Sequence, residues 1–460
     1  MATIKYILSF VVLCVNGWAA APNVVIILSD DHSWTDYGFM GHEIVQTPNL
    51  DKLAESGVLF ERAYVPTALC RPSLMTLATG RYASDHKISG NDPISPNRVD
   101  RLSMIGRIQE MDTLAKLLGE QGYLSHQSGK WWEGHYSNGG FTHGMTQGFP
   151  NKGGRHGDAG LDIGRQGMEP VTDFIDMAVE QEKPFFVWYA PFLPHTPHTP
   201  PERLLNKYKD KVDSIHVARY YAMVEWFDET CGELLDHLEE KKVRENTLVI
   251  YFGDNGWIQD PDSDKFAFGS KQMPHDGGVR QPTIYSWPDR IAPRRRQDLV
   301  SSIDILPTIC AATGARLPAG LPGLSLLKAM EQNEPVERDR IFGESFAHDV
   351  VDLDDPEKTL LYRWVIEGRY KLILTYSGKY GHDEGANVGY AERVHNKMDK
   401  RPQLYDLQDD PRETNNLAGE NPELTAQLVA ELDQWYRVTK RTCLKIFNSE
   451  VVDGKSRIIP

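Results

Sequence analysis

Four short apolar runs of the chain each end on residues able to do acid–base or anion chemistry. Val24–Leu28 leads to Asp30 and Asp31, and Tyr123–Ser128 leads to Gly129 and Lys130. Phe185–Ala190 leads to His195 and His198, and Leu248–Gly253 leads to Asp254 and Asn255. In open α/β sheets, ligands bind beyond the carboxyl ends of the strands, so four such endings predict one site where a single one would mean little. Asp30, Asp31, Asp254 and Asn255 offer hard oxygen donors, which suit Ca²⁺ or Mg²⁺ better than zinc. Adjacent carboxylates repel strongly without a cation between them. Taken singly, each of these residues is equally at home in a turn. The metal reading rests on the set.

A further reactive group stands in Cys70-Arg71-Pro72-Ser73. Pro72 near the start and Gly80 at the end frame a helix, which puts Cys70 at its positive N-terminus. That position stabilises an anion and activates a nucleophile. Other cysteines read differently. Cys231 shares an apolar stripe with Tyr221, Val224, Phe227 and Leu234, and Cys310 lies in a similar run, so both predict core thiols.

These residues need a scaffold, and the pattern supplies one. Strands alternate with helical segments at Pro48–Ser56, Thr113–Gln121, Val171–Glu180 and Asp213–Lys241, with Thr47 as N-cap of the first. This predicts an α/β fold with a mostly parallel sheet covered by helices on both faces. Leu361–Tyr376 reads as paired strands and Pro422–Cys443 as an amphipathic closing helix. Together they predict a smaller α+β subdomain from about residue 341. Ser137–Gly167 is irregular and rich in Gly, and it carries His143, Arg155 and His156; long irregular loops in compact domains are usually functional or mobile.

The 460 residues are 40% hydrophobic and 10% aromatic, enough for a large core, which excludes a disordered tail, a disulfide knot or a fibre. A net charge of −15 speaks against nucleic acid as the main partner. It does not forbid an anionic substrate at a local cationic cluster. Met1–Ala21 has one charge at Lys5, an apolar run over Tyr6–Val15 and small residues at Ala19–Ala21, the order of a secretory leader too short to span a bilayer. The expected product is exported, carries −16 after processing, and has no integral membrane segment.

The chain resembles the type I sulfatases of the alkaline phosphatase superfamily almost end to end. The resemblance is carried by Pro22-Asn23-Val24 through Asp30-Asp31, Thr47-Pro48-Asn49-Leu50-Asp51, Cys70-Arg71-Pro72-Ser73 with Thr79-Gly80-Arg81, and Gly129-Lys130-Trp131. It continues in Pro194-His195-Thr196-Pro197, Gly253-Asp254-Asn255-Gly256, Lys271, Gly277-Gly278-Val279-Arg280, and Leu404-Tyr405-Asp406-Leu407. It implies an alkaline phosphatase-like sandwich, with a leader at 1–21, a catalytic domain at 22–340 and a C-terminal subdomain at 341–460. It also implies that a formylglycine-generating enzyme converts Cys70 to formylglycine, whose hydrate is the nucleophile. One Ca²⁺ would be held by Asp30, Asp31, Asp254, Asn255 and the modified Cys70. Lys130 and Lys271 would hold sulfate oxygens, and His195 would contact the leaving oxygen.

Two positions depart from the family pattern. Leu74 stands where an Arg is usual, and Trp132 stands where a His is usual. Arg71 is the candidate to restore the charge, and His135 the candidate to replace the base. His143, Arg155, His156 and His198, on loops after the strands, are candidate substrate contacts, and with export they favour a sulfated carbohydrate. Hydrolysis of a phosphate or phosphonate ester on the same fold stays open, as does a disabled site that only binds sulfated glycans.

Overall fold

The computed structural model describes residues 21–97, 99–376, 398–399 and 401–438, and the backbone of 449–452 and 455–458. The leader expected at 1–21 falls, but for its last residue, outside the described residues. So do Cys443 and the end of the closing helix, which is described as Pro422–Trp435.

Strands in chain order are β1 (Asn23–Ser29), β2 (Val58–Phe60), β3 (Ala63–Tyr64), β4 (Asp92–Pro93), β5 (Leu124–Gly129) and β6 (His143–Gly144). They are followed by β7 (Phe185–Ala190), β8 (Thr247–Gly253), β9 (Thr283–Ser286), β10 (Arg294–Arg296) and β11 (Val300–Ser301). Eight of them form one sheet in the order β10-β2-β9-β8-β1-β7-β5-β6. Only β9 runs antiparallel to its neighbours, so the sheet is mostly parallel. Side chains of β1 alternate across it. Val24, Ile26 and Leu28 enter one core with the helix Cys70–Thr79, while Val25 and Ile27 enter a second with Phe227 and Cys231 of the helix Ile215–Glu240. A strand buried on both faces reads as a continuous apolar run, which is why β1 was legible.

Thr47 is the N-cap residue of the first helix, Pro48–Glu55, as expected, though its side chain makes no capping hydrogen bond. Its hydroxyl donates to Asp51 and accepts from the Gly38 N–H, tying the preceding loop to the helix. Cys231 and Cys310 are core thiols.

Beyond residue 339, β12 (Arg340–Phe346), β14 (Leu360–Glu367), β15 (Tyr370–Thr375) and β16 (Gln403–Asp406) form an antiparallel sheet in that order. The helix Pro422–Trp435 packs Leu428 and Leu432 on it. Between β12 and β14, β13 (Asp349–Val350) pairs with β4 in the larger part, setting Asp349 beside Asp92. The last pair, β17 (Ser449–Val452) and β18 (Lys455–Ile458), is antiparallel.

Glu344 on β12 is fully buried and accepts the Ser84 N–H at 2.6 Å. Burial pushes its carboxyl up to about 7, with Arg363 opposing and Asp85 adding to the shift. The unfolded chain releases this proton near pH ~4, so the folded state binds more protons between about pH 4 and 7 and stability falls as pH rises through that window. Glu344→Gln is expected to gain about 1–3 kcal/mol over wild type near pH 8 and little near pH 5, checked by urea unfolding at both.

Candidate active site

The carboxyl ends of β1, β5 and β8 and the N-terminus of the helix Cys70–Thr79 converge on the floor of a cavity of about 820 Å³. The turn after β1 places Asp30 and Asp31 side by side, with Asp31 at φ 61°. Asp254 and Asn255 follow β8 in parallel register: the Asp31 N–H donates to Asp254 Oδ1 at 3.1 Å and Asn255 Nδ2 to Asp31 Oδ1 at 2.7 Å. Lys130 Nζ lies 2.5 Å from Asp30 Oδ1 and 3.9 Å from Asp254 Oδ2. From a separate loop, Lys271 Nζ reaches Asp31 Oδ1 and Oδ2 at 2.6 and 2.7 Å and Cys70 Sγ at 3.2 Å. Cys70 Sγ is 3.9 Å from both Asp30 Oδ1 and Asp31 Oδ1. All of these side chains are buried.

Charge and hydrogen bonding in this cluster do not close on protein atoms alone. Three carboxylates face two lysines. Asp30 Oδ2, Asp254 Oδ2 and Asn255 Oδ1 are buried oxygens without a hydrogen-bond partner, a costly state in a low dielectric. Burial pushes the Asp30 carboxyl up; Lys130 opposes it, but Asp254 and Asp31 reinforce it. For Asp31 burial acts in the same sense, yet Lys271 and Lys130 outweigh it and hold the carboxyl below its usual range. Unpartnered hard oxygens around a residual negative charge fit a divalent cation of the Ca²⁺ kind.

His195 follows β7, with its Nε2 3.3 Å from Asp31 Oδ2 and its ring stacked on Phe192 at 4.2 Å. Its Nδ1 is 2.5 Å from the Thr196 carbonyl, which accepts a hydrogen bond from it. Burial, with Lys130 beside it, pushes its pKa down, so the ring is neutral. Arg155 and His156 line the same cavity. His156 packs on Trp132 at 5.4 Å, and burial, Lys130 and Arg155 hold it down at about 3. Lys130 Nζ sits between the Trp132 and Phe192 rings at 5.1 and 5.4 Å, a cation–π arrangement that fixes the ammonium.

Four residues singled out in the sequence lie elsewhere. Arg71 is turned into the protein, where Glu133 accepts from its Nε and Nη2 at 2.7 and 2.8 Å and the Asn91 carbonyl from its Nη1 at 3.1 Å. It is not among the residues that line the cavity. It clamps the start of the Cys70 helix. His135 sits in a turn against Tyr136, its Nδ1 2.8 Å from Ser137 Oγ, and does not line the cavity. His143 is on the edge strand β6 against Phe174. His198 is buried behind the cavity wall, near Tyr220 and Trp257. Sequence reasoning missed Glu133, and it missed Asp92, Arg101, His348 and Asp349 on the cavity rim.

Breaking the Arg71–Glu133 pair leaves an uncompensated buried charge. Glu133→Gln is expected to cost about 3–5 kcal/mol in urea unfolding, whereas the double change Arg71→Met with Glu133→Leu recovers most of it. Gly129, which leads into Lys130, has φ 82°, and a Cβ there would lie 1.8 Å from the Ala190 carbonyl oxygen. Gly129→Ala must therefore move β5 from β7, and a loss of about 4 kcal/mol or more is expected in the same assay.

Known proteins resemble this chain in sequence and in fold. The family model for sulfatases matches residues 22–315, and the model described as N-sulphoglucosamine sulphohydrolase, C-terminal, matches 265–383. Human arylsulfatase A is 28% identical over 475 residues, covering 90% of this chain and 87% of that protein. N-acetylgalactosamine-6-sulfatase of Canis lupus familiaris is 28% identical over 379 residues, covering 72% and 70%. A crystal structure of Ps i-CgsB in complex with k-i-k-neocarrahexaose superposes with a TM-score of 0.71 at 24% identity, covering 90% of this chain and 92% of that one. The fold is thus the alkaline phosphatase-like α/β sandwich of the solved sulfatases, and the class is that of sulfuric ester hydrolases. The chain belongs to the sulfatase family. Among the described residues, no helix is long and apolar enough to cross a membrane.

Proposed function

We propose that the protein releases sulfate from a sulfated polysaccharide or oligosaccharide, with the nucleophile at position 70. One observation carries this reading: Cys70 lies on a cavity floor among three buried carboxylates, with the Lys271 ammonium 3.2 Å from its sulfur. Names of relatives point to carbohydrate, N-acetylgalactosamine-6-sulfatase among them. Burial pushes the Cys70 thiol up, which makes the thiol itself a poor nucleophile. Conversion to formylglycine by a formylglycine-generating enzyme would supply an oxygen nucleophile at the same place. Asp30, Asp31, Asp254, Asn255 and the converted residue would hold Ca²⁺, which when bound supplies positive charge for sulfate oxygens and acidifies an oxygen ligand.

The remaining roles belong to the chain's own groups. Lys271 lines the cavity and Lys130 lies buried on Asp30 behind it, so their fixed ammonium groups would stabilise charge that grows on the transferring sulfate. His195, held by the Thr196 carbonyl and the Phe192 ring, would meet the leaving oxygen. Trp132, Phe192 and the cavity walls keep water from the lysines and so strengthen their field. We also take residues 22–340 as the catalytic part and 341–460 as the C-terminal subdomain, since the antiparallel sheet begins at Arg340, and residues 1–21 as an export leader.

The test is ion-chromatographic measurement of anion release by the chain co-expressed with a formylglycine-generating enzyme and supplied with Ca²⁺. Free sulfate is expected from a panel of sulfated polysaccharides, with slower release of phosphate from a matched aryl phosphate than of sulfate from the aryl sulfate. Faster phosphate release would replace this reading with a phosphoesterase. Binding of the polysaccharides by converted protein without sulfate release would replace it with a glycan-binding role.

A further inference from the structure

On the rim of the cavity, away from its floor, Asp92 on β4 and Asp349 on β13 are cross-strand neighbours. Asp92 is committed to two guanidinium groups. Its Oδ2 accepts from Arg155 Nε at 2.8 Å and also from Arg155 Nη2, and its Oδ1 lies 2.8 Å from Arg101 Nη2. Asp349 Oδ1 is engaged by His348 Nδ1 at 2.7 Å. With both Asp92 oxygens facing guanidinium groups, a second cation has no place there.

What the rim has in excess is donors. Arg155 uses one edge on Asp92 and leaves Nη1 without a hydrogen-bond partner among the described residues, its side chain 47% exposed. Arg101, at the first position of the helix Arg101–Gly106, stacks over the Phe149 ring at 5.5 Å and has Nε and Nη1 without a hydrogen-bond partner among the described residues. A guanidinium has five donors and no acceptor, so a free edge calls for oxygen acceptors, and its planar fork matches carboxylate and sulfate oxygens. Pinning by Asp92 holds both forks in place before any ligand arrives, which lowers the ordering cost of binding. Arg155 and Cys70 line one cavity, whose walls carry Trp257 and Phe266 for a ring lying between.

From this we propose that Arg101 and Arg155 form a second anion subsite, so that the preferred substrate carries another sulfate or carboxylate near the scissile sulfate. The inference rests on the sulfatase reading of the cavity floor and adds to it the charge pattern of the substrate.

Rigid probes test it without knowledge of the sugar. Binding of cyclohexyl sulfate is compared by titration calorimetry with that of the 1,2-, 1,3- and 1,4-cyclohexanediol disulfates and the sulfates of the matching hydroxycyclohexanecarboxylic acids. The protein is the Ca²⁺-supplied full chain with Cys70 left as the unconverted thiol, which keeps every floor side chain in place and does not turn the probes over. At least one two-anion isomer is expected to bind tenfold to a hundredfold tighter than cyclohexyl sulfate. Whether the disulfates or the carboxylates gain identifies the second group. In Arg155→Ala and Arg101→Ala that gain should shrink to about twofold, with the cyclohexyl sulfate Kd unchanged. A two-anion gain that is absent, that survives both changes, or that is lost together with cyclohexyl sulfate binding overturns the subsite. Failure of cyclohexyl sulfate to bind the unsubstituted rim at all overturns instead the reading of the floor.

Discussion

Cys70→Ala is expected to lower kcat for sulfate release on the order of 10⁶-fold, the scale of loss when an enzyme's nucleophile is removed. Sulfate esters are poor electrophiles, and on the proposed reading the other groups at the floor would bind and polarise without forming a bond to sulfur. Lys130 and Lys271 are ammonium groups held charged, burial disfavouring the charge but the surrounding carboxylates outweighing it. His195 is neutral, and on the proposed reading it would contact the leaving group. None can take over at position 70. The change itself is mild for the fold, because Cys70 is a small buried side chain and Ala removes one atom of it. Steady-state sulfate release together with urea unfolding separates the two effects. Residual turnover above about one hundredth of wild type with unchanged stability would place the nucleophile elsewhere.

Lys271→Met is expected to reduce kcat by on the order of 10³-fold, with a smaller change in KM, as for loss of one charge-stabilising donor in a dry site. Lys271 is the group that touches both halves of the floor. Its Nζ bonds both oxygens of Asp31 and approaches Cys70 Sγ at 3.2 Å, while Lys130 is engaged with Asp30. Met keeps most of the stem and removes the charge, so packing against Trp257 is retained. Part of the loss reflects the carboxylate left without its partner. The KM-against-kcat split from steady-state kinetics reports the part that belongs to the transition state.

The parallel strands and the residues directly after them were legible because two local signals coincide there. Continuous β-branched runs such as Val24–Leu28 mark strands buried on both faces, and the site lies at their carboxyl ends. The Cys70 helix was legible from its Pro and Gly punctuation. What failed was the step from sequence neighbour to spatial neighbour. Arg71 adjoins Cys70, but successive helical residues point about 100° apart, and its side chain enters the protein to meet Glu133. His135 lies near Lys130 in sequence but sits in a turn outside the cavity, whereas His156, reached by a long loop, packs on Trp132 inside it. The rim was hidden for a different reason. β4 and β13 are two residues each, too short for any periodicity, and their pairing brings together segments more than 250 residues apart. The acidic total charge gave no warning of this rim or of the lysines beneath it. It describes the surface of the molecule, and the cavity is built against it.

The most direct measurement is mass spectrometry of the tryptic peptide spanning residues 63–81, taken from a preparation that releases sulfate from a sulfated substrate. The peptide is uncut at Arg71 because Pro72 follows. Position 70 is expected to carry an aldehyde in place of the thiol, in proportion to the specific activity. Undiminished sulfate release from protein whose Cys70 is an intact thiol would contradict it.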